Sequence, residues 1–149
     1  MAINRDYVGR TFPATEPYEV SRVKIAEFAA AIGDTNPLFH DRAAAQAAGH
    51  SDVIAPPTFA IVISMAGSGA ALADPGLGLN YAMVVHGEQR FEYARPLTAG
   101  DVVTAQVTLT DIRDAGRNAM LTTSTEIRTV AGELVCTAVS TIVERGTPA

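Results

Sequence analysis

With 149 residues, 48% of them hydrophobic and 18% charged, the chain is long enough for one domain with its own core and too apolar to be disordered. A net charge of −5 without a basic cluster argues against nucleic acid or an anionic membrane as a partner. The one cysteine, Cys136, excludes an internal disulfide and fits a reducing cytosol. Met1 to Arg10 holds no apolar run of the signal-peptide kind, and the longest apolar stretch, Phe59 to Ala73, is too short and too rich in Gly and Ser to span a bilayer. A single cytoplasmic domain over residues 1–149 is therefore expected.

In chain order, Met1 to Tyr18 carries Gly9, Pro13 and Pro17 and reads as an extended arm, with a short strand near Glu19-Val20. Ser21 suits a helix N-cap. Ile25, Phe28, Ala29 and Ile32 follow at i, i+3, i+4, i+7 and define one buried face, and Gly33 ends the helix by taking positive φ. Asp41 suits the cap of a short alanine-rich helix ending at Gly49. After Pro56-Pro57, residues Phe59 to Leu72 are apolar on almost every face, which predicts a buried helix wrapped by a sheet. Asp74-Pro75-Gly76 closes it.

Everything after Tyr81 reads as strand: Met83 to Tyr93 as one long run or as two separated by a bend at Gly87, a run alternating from Val103 to Leu109, Ala119 to Thr129, and Leu134 to Val143. Turns fall at Asp114–Asn118 and Ala131–Glu133, and Thr147–Ala149 is expected to be a frayed tail. Helices first and an antiparallel meander afterwards predict an α+β domain, a curved sheet round a central helix. Open strand edges would favour a dimer.

The stretch densest in proton-moving groups is Gly33-Asp34-Thr35-Asn36-Pro37-Leu38-Phe39-His40-Asp41, a loop just past a helix. On residue types alone, Asp34 and Asn36 suit an Asx-type turn as well as they suit catalysis, and Asp41 suits an N-cap. His86 and Glu88, two residues apart and so on the same face of one strand, form a second pair able to move protons. Cys136, in an apolar strand with no activating base, reads as core.

The element order and Gly33-Asp34-Thr35-Asn36-Pro37-Leu38 resemble the MaoC-like branch of the HotDog superfamily, which comprises (R)-specific enoyl-thioester hydratases and 3-hydroxyacyl-thioester dehydratases. The segments Ala55–Phe59, Val85–Phe91 and Arg95–Asp101 carry the likeness further, towards N-terminal dehydratase halves and the acyl-binding subunits of heterodimeric dehydratases. The resemblance implies a HotDog fold and an acyl-CoA or acyl-carrier-protein substrate. It implies neither cofactor nor metal, and a homodimer or a heterodimer with a related HotDog subunit. Dehydration needs a base for the α-proton, an acid for the departing hydroxyl and donors for the thioester oxyanion.

Carried over by position, Asp34 matches the family's catalytic aspartate and Asn36 its asparagine. The family's histidine position, five residues after the aspartate, is Phe39 here, and His40 follows one place later. His40 or His86 would then be the base. At the start of the apolar helix the family commonly has His-Gly, whose glycine amide faces the thioester oxygen, whereas this chain has Pro56-Pro57, and proline carries no amide hydrogen. Thr58 and Phe59 amides are the replacements, with Gly87 beside the substrate. The resemblance thus implies a dehydratase or hydratase in fatty acid metabolism. The alternative is a non-catalytic acyl-binding and scaffold subunit of a heterodimeric dehydratase.

Overall fold

The computed structural model describes residues 3–146. Ser21 begins the first helix, α1 (Arg22–Ala31), where its hydroxyl accepts the Lys24 amide at 3.1 Å. Ile25 and Ala29 are fully buried and Phe28 packs beside them, so the expected face forms. Ile32 does not join it. The helix closes before that position comes round again, leaving Ile32 as a C-cap that is half exposed. Asp41 caps α2 (Arg42–Ala47) through the Ala43 and Ala44 amides, as expected. The tail expected at Thr147–Ala149 lies outside the described residues.

The third helix, α3 (Ala60–Leu72), packs on a sheet of five antiparallel strands: β1 (Tyr18–Glu19), β2 (Val84–Tyr93), β3 (Val102–Ala115), β4 (Asn118–Thr129) and β5 (Leu134–Glu144). This is the expected α+β architecture, a curled sheet holding one central helix. The spatial order is β1-β3-β4-β5-β2, so the meander covers only the last three strands. β2 pairs with β5 at the far edge because the link after it is carried across the end of the sheet. There the Ala55 amide donates to the Leu97 carbonyl at 2.8 Å and the Ala99 amide to the Val53 carbonyl at 3.0 Å. The β3 edge is covered by the N-terminal arm, where the Phe12 and Thr15 amides donate to Val107 and Ala105 carbonyls. Among the described residues, β2 is left as the open long edge.

The central helix is less enclosed than its composition predicts. Ala60, Ile63, Ser64, Gly67 and Ala71 face the sheet, but Met65 is 58% exposed, and Ala66, Gly69 and Ala70 share that open side. The sheet curls round one side of the helix only, and small residues keep the other side tolerably polar. Closest approach is at Gly67. A Cβ there would lie 3.0 Å from Ala105 Cβ and 3.2 Å from Thr125 Cγ2, both on the rigid sheet. Gly67→Ala would gain up to about 1 kcal/mol of helix propensity but overpack this contact by roughly 1–3 kcal/mol. The expected net result is a lower melting temperature, read by thermal denaturation; an unchanged or higher one would contradict the close approach.

The segment leading into α3 is anchored by Asp52. Its carboxylate accepts from Arg22 at 2.7 Å and from the Val53 amide at 2.8 Å, with Arg42 at 3.5 Å, so one buried anion ties α1 and α2 to the chain entering α3. The Arg22 hydrogen bond lowers the Asp52 carboxyl, against the opposing effect of burial, from 3.8 to about 2. A carboxyl with a lower value folded than unfolded stabilises the fold above the unfolded value and loses that contribution as pH falls through the folded one. Asp52→Asn is therefore expected to lower the melting temperature near neutrality and to remove the part of the acid-induced loss that falls between about pH 4 and pH 2. Melts of both proteins across that window check it; parallel curves would contradict the anchor. Among the described residues no helix is long and apolar enough to cross a membrane.

Candidate functional site

Four of the five residues from Gly33 to Pro37 have a local backbone task. Gly33 takes φ +72°, and the Gly33 and Asp34 amides donate back to the Ala30 and Ala29 carbonyls, closing α1 in a Schellman arrangement. Asp34 Oδ1 then accepts the Asn36 amide at 3.0 Å, and Asn36 Oδ1 accepts the Leu38 amide at 3.0 Å. Asn36 thereby caps a short 3-10 turn, Pro37–Phe39, with proline at its first position.

That turn decides the histidine register. At three residues per turn, one step rotates a side chain by about 120°. Phe39 points into the main core and is 5% exposed, while His40 lies on the surface. His40 nevertheless folds back: its Nε2–H donates to the Asp34 backbone carbonyl at 2.9 Å, an acceptor that assigns the proton to Nε2. The loop brings the ring to the main chain of Asp34, and its recorded bond is to that carbonyl rather than to the carboxylate.

Beside the loop lies a cleft of about 420 Å³ where Asn36 and the edge of Phe39 meet Ile54, Pro57, Tyr93 and Arg95. Asp34 and His40 are not among its walls. Arg95 offers it no free cation, being held by Asp101 at 2.8 and 3.0 Å and by Glu133 at 2.8 Å. At the head of α3 the Phe59 amide donates to the Pro56 carbonyl at 2.9 Å, so its expected use as an oxyanion donor is corrected. The Phe59 ring is fully buried, edge-on to Phe28 at 5.3 Å. The Thr58 amide makes no hydrogen bond among the described residues and remains the available donor.

Sequence reasoning missed Tyr93. Its hydroxyl donates to the Pro57 carbonyl at 2.6 Å and lies against the Ala60 amide, so it fills the space at the head of α3. Burial first, and the neighbouring Cys136 second, keep that phenol protonated far above neutrality. Cys136 is itself fully buried, its thiol pushed up to about 11 by burial, which fits its reading as core. No local pattern marks Tyr93, because its partners come from a segment 33 to 36 residues earlier in the chain.

His86 belongs elsewhere. A bulge at Gly87 shifts the β2 register, so His86 faces Ile142 while Glu88 faces Thr141. Opposed residues share a face and adjacent ones do not, so His86 points inward and Glu88 outward. The same-face His–Glu pair does not form. The bulge glycine sits tight on β5, where a Cβ would lie 3.2 Å from the Thr141 carbonyl oxygen. His86 also lies seven residues along β2 from Tyr93, roughly 20 Å at strand rise, so it shares no site with Asn36 within one chain. Its Nε2 lies 3.1 Å from the Glu88 carbonyl and 3.4 Å from Ser140 Oγ. Among the described residues no group of three or more His, Cys, Asp or Glu is placed to hold a metal ion.

A curled antiparallel sheet with one central helix, and a Gly-Asp-x-Asn-Pro loop closing the helix before it, defines a HotDog domain of the MaoC-like kind. Residues 6–138 match the family described as "FAS1-like, dehydratase domain region", and the chain belongs to that family. It is 60% identical over 146 residues to a UPF0336 protein of Thermobifida fusca, covering 98% of this chain and 96% of the relative. A solved MaoC-like dehydratase superposes with a TM-score of 0.87 at 33% identity, covering 95% of this chain and 43% of that longer one. The C-terminally truncated HadBC (3R-hydroxyacyl-ACP dehydratase) complex from Mycobacterium tuberculosis superposes with a TM-score of 0.80 at 25% identity, covering 93% of this chain and 97% of the other.

Proposed function

We propose that the chain is the acyl-binding member of a 3-hydroxyacyl-thioester dehydratase built from two HotDog units, acting on CoA or acyl-carrier-protein thioesters. The observation that carries this reading is the burial of Phe39 at the position where the family has its histidine. The head of α3 supports it: Pro57 has no amide hydrogen, the Phe59 amide is engaged and Tyr93 fills the space beside Ala60. In such an assembly the second HotDog chain supplies the aspartate and histidine. Its base removes the α-proton, its acid protonates the leaving hydroxyl, and amide donors hold the thioester oxyanion until the conjugated enoyl thioester forms. The open β2 edge suits docking of that second unit. The relation to the HadBC complex and to a chain more than twice as long agrees with a two-unit design.

A second reading is a self-sufficient hydratase in which Asp34 holds the water, Asn36 orients it and His40 is the base. The folding of His40 onto Asp34 favours it, since the imidazole already reaches the main chain of the residue whose carboxylate it would work with. Enoyl-thioester absorbance separates the two. The purified chain alone is expected to show no turnover with short, medium or long acyl thioesters. It is expected to give turnover when combined with a HotDog subunit from the same source that has histidine five residues after its motif aspartate. Turnover by the chain alone overturns the proposal.

A further inference from the structure

A second cavity, of about 230 Å³, lies between α3 and the inner face of the sheet, and its walls are chemically divided. Leu72, Ala138 and Ile142 are apolar, whereas Thr123, Thr125 and Ser140 carry hydroxyls. No Lys, Arg, Asp or Glu lines it. The helix stretch bordering it, Ile61 to Leu72, runs roughly 16 Å at helical rise, starting one turn from Pro57 and the Asn36 cleft.

Two of the polar walls are unusual. Thr123 and Thr125 are 3% and 2% exposed, yet neither hydroxyl has a hydrogen-bond partner among the described residues. Among the described residues no side-chain polar atom sealed from a water-sized molecule lacks a partner, so both hydroxyls open onto the cavity that they line. A saturated alkyl chain would displace water from them and leave them unmatched, which is unfavourable for a buried donor. A chain bearing a hydroxyl or carbonyl would satisfy them while its methylenes lie on the apolar side. With no Lys or Arg in its walls, the cavity offers no fixed cation to a phosphate or carboxylate ligand.

We propose that the cavity between α3 and the sheet receives an acyl chain carrying oxygen along its length, and that Thr123 and Thr125 select it over a saturated chain. This rests on the acyl-binding reading above. The test is calorimetric titration of the purified chain with two N-acetylcysteamine thioesters, octanoyl and 7-oxooctanoyl. The oxo ligand is expected to bind at least about tenfold more tightly, the discrimination a buried polar group left unpaired typically produces. Thr123→Val with Thr125→Val, which keeps the side-chain shape, should reduce that ratio to below about twofold, and Thr123→Ser with Thr125→Ser should preserve it. If the double valine variant does not fold, Thr123→Val and Thr125→Val made singly provide the reading, and at least one of them should narrow the ratio. Equal binding of both ligands by the natural chain, or a ratio unmoved by losing the hydroxyls, overturns the selection while leaving acyl binding intact. Binding of neither ligand overturns the acyl-binding reading and the selection together.

Discussion

Phe39→Ala is expected to destabilise the domain by about 3–5 kcal/mol, a fall in melting temperature of roughly 6–20 °C for a chain of this size. Phe39 belongs to the principal core cluster with Ile25, Phe59 and Ala60, so its removal opens a cavity where α1, the 3-10 turn and α3 meet. The more telling variant is Phe39→His, which restores the family's residue at that position. Here residue 39 is buried against the core on one side and borders the Asn36 cleft on the other, but Asp34 is not among the walls of that cleft, so the imidazole would stand there without its carboxylate partner. A buried neutral histidine without a partner is destabilising, and the variant is expected to melt lower and to gain no hydratase activity. Thermal denaturation and the enoyl-thioester assay read both effects. A stable Phe39→His protein with new turnover would show that the loop can re-aim, and would make the chain a catalyst that has lost one group.

The second large effect is an asymmetry within the proposed two-unit enzyme. Substituting the motif aspartate or the histidine of the second HotDog unit is expected to lower turnover by about 10²–10⁴-fold, the usual loss of a general acid or base. Asp34→Asn and His40→Ala in this chain should leave the mixture within about threefold of its starting activity, since neither side chain lines the neighbouring cleft and both serve the local turn. Asp34→Asn keeps an oxygen able to accept the Asn36 amide, so the loop survives the substitution. Equal losses on both sides would give Asp34 and His40 a catalytic place and favour the self-sufficient reading.

Much of the architecture was legible before any coordinates. The α1 cap at Ser21, the positive φ at Gly33, the Asp41 cap and the alternating strands all follow from rules that act within a few residues. The order of strands did not follow. β2 reaches the far edge through hydrogen bonds between segments more than forty residues apart, such as Ala55 to Leu97, and no local pattern encodes that pairing. The openness of α3 was hidden for a related reason. Alanine and glycine suit tight packing and a bare surface equally, and only the curl of the sheet tells which side each residue meets.

By itself, the sequence determined the class of this protein: an α+β domain with a dehydratase-type loop after its first helix, and a mismatch of one residue at that loop. Tertiary structure alone decided what the mismatch means. A 3-10 turn sends Phe39 into the core and His40 to the Asp34 carbonyl. A bulge separates His86 from Glu88, and Tyr93 arrives from a distant strand to fill the head of α3. Each outcome depends on the direction of a side chain. Residue type and spacing limit that direction, but the packing of remote segments sets it.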